Sequence, residues 1–179
     1  MTVVLGVDPG SRITGYGLIR VSGNRHSLLD CGAIRCDKGS LSERLARIHA
    51  ELERVVTAFA PAQAAIEKVF VHRSAESAMR LGHARGVAML VLAQAGLAVA
   101  EYGAPTVKQA VTGTGRADKQ QVQHMVRALL GVREPLQADA ADALAIAICH
   151  ANSQRQPVVT ARAERRRRGS SRLRELPEQ

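Results

Sequence analysis

Two aspartates stand three residues apart in an otherwise apolar segment, LQADAADALAIAICH, which covers residues 136–150. Its alanine, leucine and isoleucine residues predict a buried helix. Because residues i and i+3 share one face of a helix, Asp139 and Asp142 should point in the same direction. Their like charges repel each other, so this arrangement calls for a partner that neutralises both.

Two further acids are placed where predicted strands end. Asp8 closes the β-branched run TVVLGVD, and Glu67 follows the short apolar run AAI. When an antiparallel meander precedes the first crossover, strands 1 and 4 are commonly neighbours in the sheet. The carboxyl ends of these strands would then bring Asp8 and Glu67 side by side, where the two aspartates of the last helix could face them.

A cluster of carboxylates indicates a particular chemistry. Two unit charges at 4 Å repel by about 4 kcal/mol at an effective dielectric constant near 20. Divalent cations such as Mg²⁺ relieve this repulsion through oxygen ligands, which include carboxylates, waters and phosphate oxygens. Two such ions can clamp the attacking and leaving oxygens of a phosphodiester. The four acids therefore predict metal-dependent hydrolysis of phosphodiesters.

Each acid also has an ordinary structural explanation. Asp8 could initiate the turn at Pro9, and Glu67 could be a solvated residue at a strand end. Asp139 could cap the last helix, and Asp142 could complement the helix dipole. None of these explanations accounts for the shared location of the four acids.

The elements that must position the acids follow the order βββαβαβα, where the last α stands for the helices after the fifth strand. The pattern predicts strands at 2–8, 14–22, 26–36, 64–66 and 97–102, and helices at 42–59, 74–95, 106–112, 119–130 and 136–150. Three strands joined by short links form an antiparallel meander, and βαβ units follow. The expected fold is α/β, with a mixed five-stranded sheet flanked by helices.

Length and charge divide the chain into a body and a tail. With 179 residues, of which 46% are hydrophobic, the chain can form one globular domain, predicted at 1–152. Residues 153–179 carry eight Arg against three Glu and are predicted to form a disordered basic tail. The net charge of +9 favours a polyanionic partner. The alternative is a tail that only aids solubility.

Cysteine content and hydropathy favour a cytoplasmic protein. The three cysteines are an odd number without CxxC spacing, which argues against a disulfide framework and against structural zinc. We therefore expect Cys149 and His150 to be structural residues. No signal peptide and no apolar run of bilayer length are apparent, so we expect no membrane association.

Several motifs together resemble one known family. GVDPGSRITGYG at 6–17, AIEKVF at 65–70 and QADAADALAIA at 137–147 are similar to the RuvC family of Holliday junction resolvases. The resemblance runs from about Val3 to His150. The stretches AMRLGHARGVA at 78–88 and VKQAVTGTGRADKQQVQHMV at 107–126 also fit. All motifs occur in order at fitting spacings, which makes the combined signal specific.

The resemblance implies a fold and an activity. It implies an RNase H-like fold and a homodimer that binds a four-way DNA junction, in DNA recombination and repair. The dimer would nick two strands of like polarity at symmetric positions, with Mg²⁺ or Mn²⁺ and two ions expected per subunit. The family works with the RuvA and RuvB branch-migration proteins. By resemblance, the metal-binding catalytic acids are Asp8, Glu67, Asp139 and Asp142.

The resemblance also indicates residues that bind DNA. Phe70 matches an aromatic position expected to stack on an unpaired base at the crossover; the alternative is a core residue. Lys108 and Lys119 match basic positions of the family near the cleaved strand, and Arg116 could join them from the GTGRAD loop. Some of the basic residues that follow Phe70 are expected to contact backbone phosphates; these residues are His72, Arg73, Arg80 and Arg85. The alternative for the lysines is a solvated helix face.

The predicted helix at 74–95 is the candidate dimer interface. Paired nicks on a two-fold substrate require two sites in a two-fold dimer. Small residues along this helix permit close helix packing: Ala75, Ala78, Gly82, Gly86 and Ala93. The alternative is close packing of the same residues on the sheet of their own chain.

Three other functions compete with this hypothesis. GVDPGS also resembles the first phosphate loop of actin- and hexokinase-like ATPases, but those need a second loop and a duplicated domain, which do not fit in 179 residues. A related RNase H-like nuclease of ribosomal RNA precursors shares the Asp-Pro-Gly start but lacks a stretch like VFVHRSAESA. A non-catalytic junction-binding module would not need all four acids.

Overall fold

The computed structural model describes residues 1–68 and 75–154. This part of the chain forms five strands and five helices. In chain order they are β1 (Thr2–Asp8), β2 (Ile13–Ser22), β3 (Arg25–Arg35), α1 (Leu41–Phe59), β4 (Gln63–Glu67), α2 (Ala75–Gln94), β5 (Val99–Tyr102), α3 (Ala104–Thr112), α4 (Lys119–Leu130) and α5 (Ala138–Ser153). Every predicted element is present, and the boundaries differ by three residues at most.

The strands form one mixed sheet in the order β3-β2-β1-β4-β5. β1 and β2 pair antiparallel, as do β2 and β3. β4 pairs parallel with both β1 and β5. The predicted α/β fold is confirmed, including the meander, the βαβ units and the adjacency of strands 1 and 4.

Two hydrophobic cores cover the two faces of the sheet. On one face, Leu5, Val7 and Ile66 pack with α1 and α2. On the other face, Val4 and Ala65 pack with α3, α4 and α5. Because strand residues alternate between faces, each residue's partner helices follow from its position in the strand.

Helix α5 lies directly on β1 and β2 because the strand residues beneath it are glycines. A Cβ placed on Gly6 would lie 2.1 Å from the carbonyl oxygen of Ala143, and one on Gly15 would lie 2.1 Å from that of Asp139. Gly17 leaves similar space for Leu144. The glycines thus allow the helix backbone to approach the sheet, with its acidic end beside the end of β1.

Some predictions fall on residues outside the described part of the chain. Phe70, His72 and Arg73 lie in the stretch 69–74, which the structure does not describe. Residues 155–179 of the predicted tail are also outside the described residues. Helix α5 ends at Ser153, one residue beyond the end predicted for the globular domain. Among the described residues, no helix is long and apolar enough to cross a membrane.

Candidate active site

Asp8 and Glu67 are brought together by strand pairing. Val7 pairs with Ile66 in the parallel β1–β4 ladder. Asp8 and Glu67 are the residues that follow, so both lie at the same end of the sheet. Asp8 lies on the face of the sheet that Gly6 offers to α5, and Glu67 shares that face with Ala65. Both carboxylates therefore point toward α5.

The turn after Asp8 is held by another residue. The Thr14 hydroxyl donates to the carbonyl oxygen of Gly10 at 3.0 Å and accepts from the Gly10 N–H at 3.3 Å. Thr14 is fully buried. The Asp8 side chain lines a pocket instead, so turn formation does not explain the presence of this acid.

Asp139 and Asp142 lie in the first two turns of α5. The N-cap of this helix is Gln137, so Asp139 is the second helical residue and not the cap. Asp142 lines the pocket that contains Asp8. Asp139 is half-buried, its backbone packs against Gly15, and it is not among the residues that line the pocket. Its charge nevertheless reaches Asp8, whose pKa it helps to raise.

The pocket combines acids, bases and an apolar floor. It has a volume of about 340 Å³. The residues that line it are Asp8, Glu67, Ala104, Val107, Lys108, Lys119, Val122, Asp142, Ala145 and Ile146. Three of the four predicted acids and two of the predicted lysines thus share one cavity at the carboxyl edge of the parallel strands.

The acids of this pocket oppose each other's ionisation. Burial raises the pKa of Asp8 from 3.8 to about 8, and the charges of Glu67 and Asp142 contribute to the rise. Burial also raises the pKa of Glu67, although a hydrogen bond with Asp8 partly offsets this effect. Near neutral pH, Asp8 is therefore largely protonated, and its O–H donates to the Glu67 carboxylate.

Lys119 supplies a cation beside the acids. Its ammonium lies 3.3 Å from the carboxylate of Asp142, which raises the pKa of Lys119. Asp118 and Gln121 form a capping box that begins α4 and fixes Lys119 as its first residue. The Lys119 side chain is 75% exposed, so it can also reach a ligand that enters the pocket. The sequence motif indicated this lysine, but its pairing with Asp142 depends on tertiary contact.

The other predicted DNA-binding residues of the described chain lie outside the pocket. Arg116 is exposed on the α3–α4 loop. Arg80 is exposed on α2, where it pairs with Glu76 one turn earlier. Neither side chain lines the pocket, so contact with DNA there remains a prediction.

Arg85 is one of the four basic residues after Phe70, some of which were expected on backbone phosphates. Its guanidinium donates to the carbonyl oxygen of Glu67 at 3.3 Å and forms an ion pair with Glu101. Its side chain is 22% exposed. Arg85 therefore joins α2 to the end of β4, where Glu67 lies, and is engaged within the chain.

The donor set of this pocket fits a hard divalent cation. Carboxylate oxygens are the ligands that Mg²⁺ prefers, and burial, together with the charges of Glu67 and Asp142, raises the pKa of Asp8. Among the described residues, no group of three His, Cys, Asp or Glu side chains is placed to hold a metal ion. Asp8, Glu67 and Asp142 nevertheless line one pocket.

Comparison with known proteins gives a consistent result. A family model described as crossover junction endodeoxyribonuclease RuvC matches residues 4–150. The protein of that name from Marinobacter nauticus is 54% identical over 162 residues, which cover 90% of this chain and 93% of the relative. The one from Hahella chejuensis is 49% identical over 172 residues, which cover 96% and 100%.

Solved structures agree with the sequence relatives. The structure of T. thermophilus RuvC in complex with Holliday junction substrate has a TM-score of 0.82 and 37% identity, covering 87% of this chain and 96% of that one. A yeast mitochondrial Holliday junction resolvase has a TM-score of 0.62 at 13% identity, covering 84% of this chain and 78% of that one, and so shares the fold. The predicted resemblance is confirmed: this chain belongs to the RuvC family of crossover junction endodeoxyribonucleases.

Proposed function

We propose that this protein resolves four-way DNA junctions by metal-dependent, symmetric nicking of two strands of like polarity. The observation that carries this proposal is the convergence of Asp8, Glu67 and Asp142 in one pocket, with Lys108 and Lys119 on its wall. Acids that raise one another's pKa are costly to keep together. A nuclease site supplies a reason to keep them.

The four acids are proposed as the metal ligands. Asp8, Glu67 and Asp142 would hold Mg²⁺, with Mn²⁺ as a substitute, and Asp139 would join them from the first turn of α5. We infer two ions per subunit. Bound ions would supply an activated water and stabilise the departing oxygen of the phosphodiester.

The chain's own side chains would position the DNA. Lys108 and Lys119 present ammonium groups to the pocket, where a phosphate oxygen can accept from them. Val107, Val122 and Ile146 add an apolar floor to the pocket, and a less polar surrounding strengthens charge interactions. Phe70 and Arg73 are proposed to contact the crossover, and Arg80 and Arg116 the backbone nearby.

A homodimer is proposed to form through the outer face of α2. Met79 and Leu90 are 64% and 51% exposed there. A Cβ on Gly82 or Gly86 would meet no atom of the described residues within 4 Å. The buried face of α2 is formed instead by Ala84, Ala88, Val91 and Leu92, which supports an outer contact for the two glycines over close packing on the chain's own sheet. A second copy of α2 matches such a face, since small residues allow close approach.

Sedimentation of two variants tests this interface. Gly86→Lys places a charge in the proposed contact and should convert the dimer to a monomer. Ala50→Lys adds the same charge on an exposed position of α1 and should leave the dimer intact. A wild-type chain that sediments as a monomer at micromolar concentration would exclude the proposed dimer.

A cleavage assay tests the activity. The full chain is incubated with a synthetic four-way junction, a linear duplex or structured RNA, with Mg²⁺ or with chelator. We expect symmetric nicks in the junction alone, and only with metal. Asp8→Asn should abolish nicking and retain junction binding, whereas the exposed Asp37→Asn should retain both. Normal nicking by Asp8→Asn would refute the assignment of the site.

The partners and location of the protein follow from this activity. We propose that it acts on junctions handled by the RuvA and RuvB branch-migration proteins. A DNA substrate agrees with the predicted cytoplasmic location. A pull-down on junction DNA loaded with those two proteins tests the association, and equal recovery without them would count against it.

A further inference from the structure

We propose that a cationic surface beside the exposed edge of β3 binds the sugar–phosphate backbone of one junction arm. We call it the β3–α1 surface. It consists of Arg12, Arg35, Lys38, Arg44 and Arg47. This inference rests on the proposed function, because it assigns a second contact to the DNA that enters the acidic pocket.

Strand register places this surface at the catalytic end of the sheet. Gly15 pairs with Asp8 on one side and with Ala33 on the other, and Arg35 lies two residues beyond Ala33. Because strand residues alternate, Arg35 is on the same face as Asp8. Arg35 is displaced from Asp8 by two strand spacings across the sheet and by two residues along the strand, so the Cα atoms of the two residues are about 12 Å apart. A backbone that reaches the pocket can therefore reach Arg35.

Contacts at the ends of the strands bring further cations to this place. The Cys36 N–H donates to the carbonyl oxygen of Arg12 at 2.7 Å, which ties the β1–β2 loop to the end of β3. The Arg47 guanidinium donates to the carbonyl oxygen of Arg35 at 3.4 Å, which brings α1 over the same edge. Positive charge from the β1–β2 loop, β3 and α1 thus meets in one region.

These cations are not neutralised within the described part of the chain. No ion pair there includes any of the five members of the β3–α1 surface. Three acids lie nearby. Glu43 accepts from the Ser40 N–H in a capping box, and the charge of Arg47 also helps to lower its pKa. Glu51 pairs with Arg54 at 2.9 Å and lines the same cavity as Arg35 and Arg47, and Asp37 is exposed. Five cations thus face three acids. The surface therefore has an excess of positive charge.

A groove connects this surface with the acidic end of α5. It has a volume of about 820 Å³ and is lined by Arg35 and Arg47 at one side and by Gln137 and Ala140 at the other. Asp139 lies between those last two residues in the chain. β3 is an edge strand of the sheet, so its outer side is open to a ligand. A polyanion that is continuous with a strand bound at the acids fits this groove, because phosphates match unpaired arginines.

The test compares two variants that lose equal charge. Arg35→Ala/Arg47→Ala removes two members of the surface. Arg20→Ala/Arg25→Ala removes two exposed arginines at the opposite end of the β2–β3 hairpin. The affinity of each full-length variant for a four-way junction is measured in chelator over a range of salt concentrations. The slope of log affinity against log salt should fall by about 2 for the first variant, at about 0.9 per lost phosphate contact, and stay near wild type for the second.

Each outcome has one meaning. Equal slopes for the two variants would overturn the β3–α1 surface, and an unchanged affinity of the first variant would do the same. If Arg35→Ala/Arg47→Ala fails to fold, the exposed Arg12→Ala/Lys38→Ala variant should show the same loss of slope. Nicking at saturating protein with Mg²⁺ should persist in both pairs. A wild-type chain that neither binds nor nicks junctions would instead refute the proposed function.

Discussion

Replacing Asp8 by asparagine should stabilise the metal-free protein while it removes activity. The folded chain holds a proton on Asp8 up to about pH 8, whereas the unfolded chain releases it near 3.8. Between these values the native state binds more protons than the unfolded state. The free energy of unfolding must therefore fall as the pH rises through this window.

The magnitude follows from the pKa shift. Each unit of pKa difference corresponds to about 1.4 kcal/mol. At pH 7, which is roughly three units above the pKa of 3.8 in the unfolded chain, the raised pKa of Asp8 lowers the free energy of unfolding by up to about 4 kcal/mol. An asparagine side chain at this position cannot ionise in either state. The Asp8→Asn variant should consequently gain stability relative to wild type, with a gain that grows from pH 5 to pH 8.

Thermal and denaturant unfolding in chelator measure this effect. Wild type and Asp8→Asn are both unfolded at several pH values, and their free energies of unfolding are subtracted. The subtraction cancels the effect of groups that titrate in both proteins, such as His150, whose pKa burial lowers. Asp37→Asn, an exposed change of the same kind, should track wild type. Mg²⁺ should raise the melting temperature of wild type more than that of Asp8→Asn, because it favours the ionised carboxylate. A difference between wild type and variant that does not depend on pH would refute the argument.

Three further predictions concern neighbours of the acids. Lys119→Gln removes the cation that pairs with Asp142 at 3.3 Å, so nicking should slow at least tenfold while junction affinity in chelator changes little. Gly6→Ala would force a Cβ to within 2.1 Å of a carbonyl oxygen of α5, and urea unfolding should show a loss of about 3 kcal/mol from overpacking. Arg85→Ala frees the carbonyl oxygen of Glu67, so calorimetry should show weaker Mg²⁺ binding, with Arg85→Lys recovering part of it.

Local patterns were enough to predict the elements of the fold. Apolar and β-branched runs bounded by turn residues identified the strands, helical spacing identified α1, and the alanine, leucine and isoleucine content identified α5. The adjacency of β1 and β4 followed from the order of elements, since a meander leaves one side of its first strand free for a parallel partner. Asp8 and Glu67 could be placed together for that reason alone.

Other features of the site depend on contacts between distant residues, which no local pattern shows. Gly6, Gly15 and Gly17 lie inside predicted strands, but only the folded chain shows that they form the surface on which α5 lies. Arg85 looked like a free cation of a basic stretch, but it is engaged by Glu67 and Glu101. One local pattern did point to the glycines: Gly15 and Gly17 alternate along β2, and small residues on one face of a strand leave room for a helix backbone.

The glycines and the acids of this protein serve one geometric requirement. A side chain at Gly6 or Gly15 would push α5 away from the sheet, and Asp139 and Asp142 would move with it. The same close approach contributes to the raised pKa of Asp8, which burial raises most and to which the charges of Glu67, Asp142 and Asp139 add. Loosening the helix would therefore relieve the repulsion and stabilise the acids, but it would also separate the oxygen donors. The instability of the metal-free pocket and its capacity to hold a cation thus have the same cause, the short distance between α5 and β1.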